Sequence, residues 1–289
     1  MHILENKQLR ISVEAKGAEL KSIYNKVTNK ELLWQADPKF WAKSSPILFP
    51  IVGALKNDKY TYLDKQYSLS RHGFARDMVF DKIEDNESKI IFSLKSNKDT
   101  IKIYPFQFDL QIIYSLESNR LNVDYIVKNL EKENDLLFSL GAHPAFNIEV
   151  NENKNYSDYE IYFPSDEFLE IIQLTNNLIA ENKKIINLNN KNLDLSYQLF
   201  ESDALVMTNL KSESLILRNK IDNDSLIFSF NNFPFFGIWA AKNANFVCLE
   251  PWSGIADFEN HNQHLEQKVG ILKLSSTENW KANWFIEIS

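Results

Sequence analysis

The 289 residues are 44% hydrophobic and 13% aromatic, enough apolar side chain for a sizeable core, which excludes a globally disordered chain. A net charge of −7, spread along the sequence without a cluster of Lys and Arg, excludes a nucleic-acid protein. The single cysteine, Cys248, excludes an internal disulfide and fits a reducing compartment. No run approaches the roughly 18 apolar residues of a membrane helix, and residues 1–7 lack the apolar stretch of a signal peptide. A cytoplasmic protein is expected.

In chain order, residues 9–15 alternate apolar and polar side chains as a half-buried strand does. Residues 38–43 predict one helical turn. Alternating runs recur at 90–94, 108–116, 121–127, 214–217, 225–230 and 269–274, separated by clusters of Asn, Asp, Ser and Lys that read as turns. Seven glycines stand against thirty-two asparagines, so Asn is expected to fill the left-handed turn positions. Residues 176–195, biased to Asn, Lys and Leu, predict a long surface excursion with a short strand or two, and 257–268 a short helix or capped loop. The long amphipathic runs of a Rossmann-type alternation are missing. The class is therefore all-β, a large antiparallel β-sandwich with few short helices. With no repeat and no Pro- or Ser-rich linker, residues 1–289 are expected to form a single domain.

Three places break the local pattern, and in a β-protein such conflicts mark where function is sought. Residues 246–249 are apolar on both faces, as in a covered central strand, and then meet Glu250, Pro251 and Trp252. Period-two geometry puts Glu250 on the face of Phe246 and Cys248, where a carboxylate is costly unless paired. A strand-end Glu reaching solvent fits the pattern equally well. Residues 136–142 end in His143, held extended before Pro144. Such an imidazole serves as acid, base, ligand or, more commonly, a satisfied core group. His72 stands between Arg71 and Arg76, two of only five arginines in a chain whose cations are mostly Lys. That local use of planar, multi-donor guanidinium points to an oxygen-rich ligand; a salt bridge to Asp77 or Asp81 is the plainer alternative.

These residues carry a family resemblance. The segments Ser45-Pro46-Ile47-Leu48-Phe49-Pro50-Ile51-Val52-Gly53, His72-Gly73-Phe74-Ala75-Arg76 and Gly141-Ala142-His143-Pro144-Ala145-Phe146-Asn147 occur in that order. They are followed by Ser202-Asp203-Ala204-Leu205 and by Cys248-Leu249-Glu250-Pro251-Trp252-Ser253-Gly254-Ile255-Ala256-Asp257. With these motifs the chain resembles the aldose 1-epimerase (galactose mutarotase) superfamily, in particular its LacX-like branch. The resemblance implies a large β-sandwich with a sugar site on one curved face, and a cofactor-independent isomerase that interconverts α and β anomers. It implies Glu250 as general base, His143 as general acid, and His72 beside the acid, binding and polarising the sugar. Asp203 is implied as a partner of sugar hydroxyls. Related sequences carry Arg where this one has Ala54, which leaves Arg71 or Arg76 to compensate. Trp252 is the aromatic expected to cover the sugar's C–H face, whereas Phe233, Phe235 and Phe236 read as core.

Other functions remain open on sequence. A hexose-phosphate mutarotase needs several cations at one pocket edge, and only Arg71 and Arg76 are in view. A non-catalytic sugar-binding or sensing module is favoured by Ala54 and opposed by the joint presence of Glu250, His143 and His72. A metal held by His72, His143 and Glu250, or by His261 and His264, ranks last, and no metal or cofactor is expected. The expected partner is a small sugar, with neither nucleic acid nor membrane, bound by a monomer or homodimer.

Overall fold

Residues 121–127, read as a half-buried strand, lie at the heart of the largest sheet in the computed structural model, which describes residues 1–222 and 224–288. Asn223 and Ser289, within the expected 1–289 span, lie outside the described residues. Strand Arg120–Asn129 buries Leu121, Val123, Tyr125 and Val127 on one face. Its neighbours are Phe108–Glu117 and Asn279–Ile288, both antiparallel. The nine strands run, edge to edge, Asn192–Asp194, Tyr159–Tyr162, Ser214–Asn219, Ser225–Asn231, Asn279–Ile288, Arg120–Asn129, Phe108–Glu117, Lys89–Lys95 and Asp81–Asp85.

A second antiparallel sheet has the order Ala145–Asn147, Phe246–Trp252, Phe235–Trp239, Leu205–Met207, Phe168–Thr175 and Leu178–Asn187. The two sheets meet through rings from each: Phe146 and Phe236 of the second pack on Phe228 of the first, at 5.8 and 6.0 Å between centroids. This is the β-sandwich arrangement, with inward side chains from both layers filling one core. A four-stranded sheet, beginning with His2–Glu5 and Leu9–Glu14, adds Leu4, Ile11 and Val13 to the same core. The opposite face of the second sheet carries a smaller apolar cluster of Leu48, Val52, Ile172, Val206, Trp252 and Ile255. That cluster is the floor of the site.

Where structure and expectation differ, the causes are local. Residues 38–43 form a turn, not a helix: the amides of Phe40 and Trp41 both donate to the carbonyl of Asp37 and the pattern stops there. Residues 257–268 take the loop alternative of the two expected, with one 3₁₀ turn, Leu265–Gln267, whereas the 269–274 run pairs only over Leu272–Leu274. Within 176–195 the strand Leu178–Asn187 is longer than expected, because it forms a hairpin with Phe168–Thr175 across the turn Asn176-Asn177. Both turn residues have positive φ, as do Asn29, Asn57, Asn190, Asn232 and Asn243. Asn thus fills part of the left-handed positions, and Asp, Ala and others fill the rest. Among the described residues no helix is long and apolar enough to cross a membrane.

Candidate active site

Strand Phe246–Trp252 is buried along its whole length, because sheet neighbours flank it and apolar clusters cover both faces. It pairs with Ala145–Asn147 in the register Ala145↔Cys248, Phe146↔Val247 and Asn147↔Phe246. Continuing that register by two residues brings His143 opposite Glu250. The side chains meet: Nε2 of His143 lies 3.0 Å from Oε2 of Glu250. Oε2 nevertheless completes no hydrogen bond, and neither does Nδ1 of His143.

Both groups are almost sealed, with Glu250 1% and His143 9% exposed. Burial pushes the Glu250 carboxyl well above its usual range; the Arg71 guanidinium opposes that shift and Asp203 adds to it. Burial lowers His143 to about 3. An apolar setting disfavours the charged form of either group, which moves an acid up and a base down.

Glu250, His143 and His72 line one cavity of about 290 Å³, together with Trp41, Trp239, Trp252, Arg71 and Arg76. That is the small end of the range for small-molecule sites, about 300–1,000 Å³. Trp41 stacks on His143 at 4.9 Å, and Trp239 meets it edge-on at 5.8 Å. Trp252 lies flat against the sheet between Gly141 and Gly237; a Cβ on either glycine would come within 2.5 Å of its ring. Its Nε1 has no hydrogen-bond partner.

His72 meets His143 edge-on at 6.1 Å. Both of its nitrogens face donors: the Gly53 amide is 3.2 Å from Nδ1, and Arg71 Nε is 3.1 Å from Nε2. A neutral imidazole has one acceptor nitrogen, so it satisfies one of these donors and cannot gain a proton without opposing both. Burial and the Arg71 charge hold His72 well below its ordinary pKa.

Arg71 crosses the cavity mouth. Its Nη1 donates to Asn177 Oδ1 at 2.6 Å and Nη2 lies 3.9 Å from Asp203. Arg76 supports it from behind, donating to the Arg71 carbonyl at 2.8 Å while its Nε lies 3.7 Å from Asp77. Asp203, at φ 92, accepts the Ala204 amide and lines an outer recess with Asn176, Asn177, Glu201 and Trp239. Asp203 therefore sits at the rim, not beside Glu250. Ala54 is buried, with its carbonyl bonded to the Asp257 amide at 2.9 Å. Phe233 and Phe236 are core, and Phe235 packs half-buried beneath the site.

The fold thus brings Glu250, His143, His72, Arg71, Arg76 and Trp252 to one cavity and leaves Asp203 at its edge. Trp41 and Asn177 join them without having been singled out. Trp41 stands in an irregular loop beside Phe40 and Ala42, where a large ring reads as packing, and Asn177 is one of thirty-two asparagines. Among the described residues the suggested metal pair of His261 and His264 finds no third ligand: His261 turns to Asp257 at 3.2 Å, and His264 is exposed.

A family model described as aldose 1-epimerase matches residues 1–269. The protein LacX of Lactococcus lactis subsp. lactis is 35% identical over 294 aligned positions, covering 99% of this chain and 98% of its own length. A galactose mutarotase-related enzyme from Lactobacillus acidophilus superposes with a TM-score of 0.95 at 33% identity, over 100% of this chain and 97% of that one. A galactose mutarotase-like protein from Lactobacillus casei gives 0.92 at 28% identity over the full length of both.

Proposed function

The chain belongs to the aldose 1-epimerase family, and from that premise we propose that it interconverts the α and β anomers of a free aldose by acid–base ring opening between Glu250 and His143. The observation that carries this reading is the 3.0 Å approach of the two groups on the cavity wall. The anomeric hydroxyl and the ring oxygen are bonded to one carbon, so a base and an acid that serve them must stand side by side.

The pair also carries the right number of protons. The raised carboxyl and the lowered imidazole favour a ligand-free pair that shares one proton, carried by Glu250. Passed across to His143, that proton leaves a carboxylate to take the anomeric proton and an imidazolium to protonate the ring oxygen. Ring opening returns a protonated Glu250 and a neutral His143. After rotation about C1–C2 the steps reverse and close the other anomer. Every transfer is made by side chains of this chain, so the reaction is cofactor-independent. Each positioned group contributes roughly 10²–10⁴-fold.

His72 acts in this scheme by orienting Arg71 rather than by donating a proton. Arg71 supplies the guanidinium that Ala54 lacks, with Asp203 and Asn177 holding it over the sugar hydroxyls. A free sugar fits better than a phosphorylated one. The rim carries Asp203 and Glu201 beside Arg71, and a phosphate would meet those carboxylates.

The test is anomer-exchange NMR or polarimetry on freshly dissolved glucose, galactose and glucose 6-phosphate. Faster exchange is expected with a free sugar. Unchanged rates across a broad sugar panel would sink the enzyme reading and leave a sugar-binding module.

A further inference from the structure

Cys248 takes no part in these proton transfers, yet it shares the face of Glu250 two residues away and is fully buried. One imidazole nitrogen of His143, the Cys248 sulfur and a Glu250 carboxylate oxygen all lie within 4.8 Å of one another. Among the described residues this is the one group of three His, Cys, Asp or Glu side chains so placed. It differs from the pattern suggested by sequence, because Cys248 stands where His72 was expected. The nitrogens of His72 face Gly53 and Arg71 instead.

We propose that His143, Cys248 and Glu250 form an inhibitory site for a thiophilic divalent cation of the zinc class, which competes with the sugar for the catalytic pair. Nitrogen, thiolate sulfur and carboxylate oxygen are the three donor types zinc takes, at about 2.0–2.3 Å, which spaces tetrahedral donors about 3.3–3.7 Å apart. The His143–Glu250 approach is already near that spacing, and the sulfur needs to move inward by about 1 Å. Harder cations want six or more oxygens, and the trio offers one carboxylate.

Two polar atoms of the trio, Glu250 Oε2 and His143 Nδ1, are buried without a hydrogen bond. A cation at this point satisfies an acceptor that otherwise has no partner. Three protein ligands with the fourth position open to a cavity is a common arrangement for an accessible zinc. Here Glu250 and His143 both face that cavity.

Charge balances if the thiol and the carboxyl each release a proton: two negative ligands then meet a +2 ion beside a neutral imidazole. Binding of the ion thus releases protons from its ligands.

The inhibition arm of the test rests on the mutarotase reading; the spectroscopic arm does not. Cadmium chloride titrated into the intact protein should give a cadmium–thiolate absorption band that saturates at one equivalent. The band should vanish in Cys248→Ala and form with at least tenfold lower affinity in Glu250→Gln. Zinc chloride should raise KM for the sugar without lowering kcat, and EDTA should reverse it. Cys248→Ala should exchange anomers at the parental rate yet tolerate at least tenfold more zinc. Should Cys248→Ala fail to fold, Cys248→Ser and the band in Glu250→Gln carry the same decision. The site is overturned by absence of the band in the parent, or by equal zinc sensitivity of parent and Cys248 variant, which would mean that the sulfur does not hold the inhibitory ion. A band in a protein that accelerates no sugar would leave the cation site standing and remove the enzyme.

Discussion

Two carboxylates seven residues apart are buried alike and used differently. Asp257 is 1% exposed, as is Glu250. Its Oδ2 accepts the Lys56 amide at 2.9 Å, and its Oδ1 faces Lys268 Nζ at 3.1 Å. Lys268 spends a second donor on the Ile255 carbonyl at 2.5 Å. The Asp257 backbone also ties Ala54 to Ile179, stitching the rim of the cavity. Glu250 has a facing imidazole but leaves an oxygen without a hydrogen bond. A buried charge whose donors and acceptors are committed holds the chain in place, whereas an uncommitted one is available to a ligand.

The sharpest way to break this comparison is to neutralise each group in turn. Glu250→Gln keeps the shape and removes the proposed base, so kcat for anomer exchange should fall about 10²–10⁴-fold while the folded state survives. Polarimetry with circular dichroism on the same sample checks both halves, and a parental rate would end the base assignment. Lys268→Met should do the reverse. It strands Asp257 in the interior and is expected to destabilise the fold by about 3–5 kcal/mol, read by urea unfolding, with activity retained in the molecules still folded. If Lys268→Met were as stable as the parent, the contrast between a holding cluster and a working one would collapse.

A smaller effect is expected at the rim. Arg71→Ala removes a charged hydrogen-bond donor set worth about 1.5–3 kcal/mol, which should appear mainly as a KM raised roughly tenfold to a hundredfold. His72→Asn should produce part of the same rise without shifting the pH profile of kcat, since the proposed scheme has His72 position Arg71 and leaves the acid role to His143. A changed pH profile would return His72 to the proton transfer itself.

Much of this was legible before any coordinates. Alternation with period two gave the strands at 9–15, 90–94, 108–116 and 121–127, and the abrupt ends of two apolar runs marked Glu250 and His143. What brings those two together is the register between Ala145–Asn147 and Phe246–Trp252, a pairing between segments about a hundred residues apart that no local pattern encodes. The same limit hid Cys248, whose face follows from periodicity but whose neighbour His143 does not. Trp41 was hidden for another reason: it lies in a turn without period, where a ring reads as packing. Gly141 and Gly237 stand where the Trp252 ring needs space, a requirement that no local pattern encodes. Asn177 became visible only when its hairpin turn was seen to reach Arg71.

The finest test of the contrast is the sign of a stability change. The folded-state pKa of Glu250 is raised above its unfolded value of 4.5, so its stabilising contribution is complete below that value and is lost as pH climbs toward the raised one. His143 moves from 6.5 to about 3, so its contribution is complete above 6.5 and is lost as pH falls toward 3. Of the two, only Glu250 weakens the fold as pH rises from neutrality. Glu250→Gln, which cannot ionise, should therefore melt higher than the parent on the alkaline side, by a margin that widens as pH rises toward the raised pKa of the carboxyl. Lys268→Met should melt lower than the parent. Calorimetric scans of both variants from neutral to alkaline pH decide the matter. A Glu250→Gln protein that melts below the parent throughout would mean that the Glu250 carboxyl is a committed structural group after all, like that of Asp257.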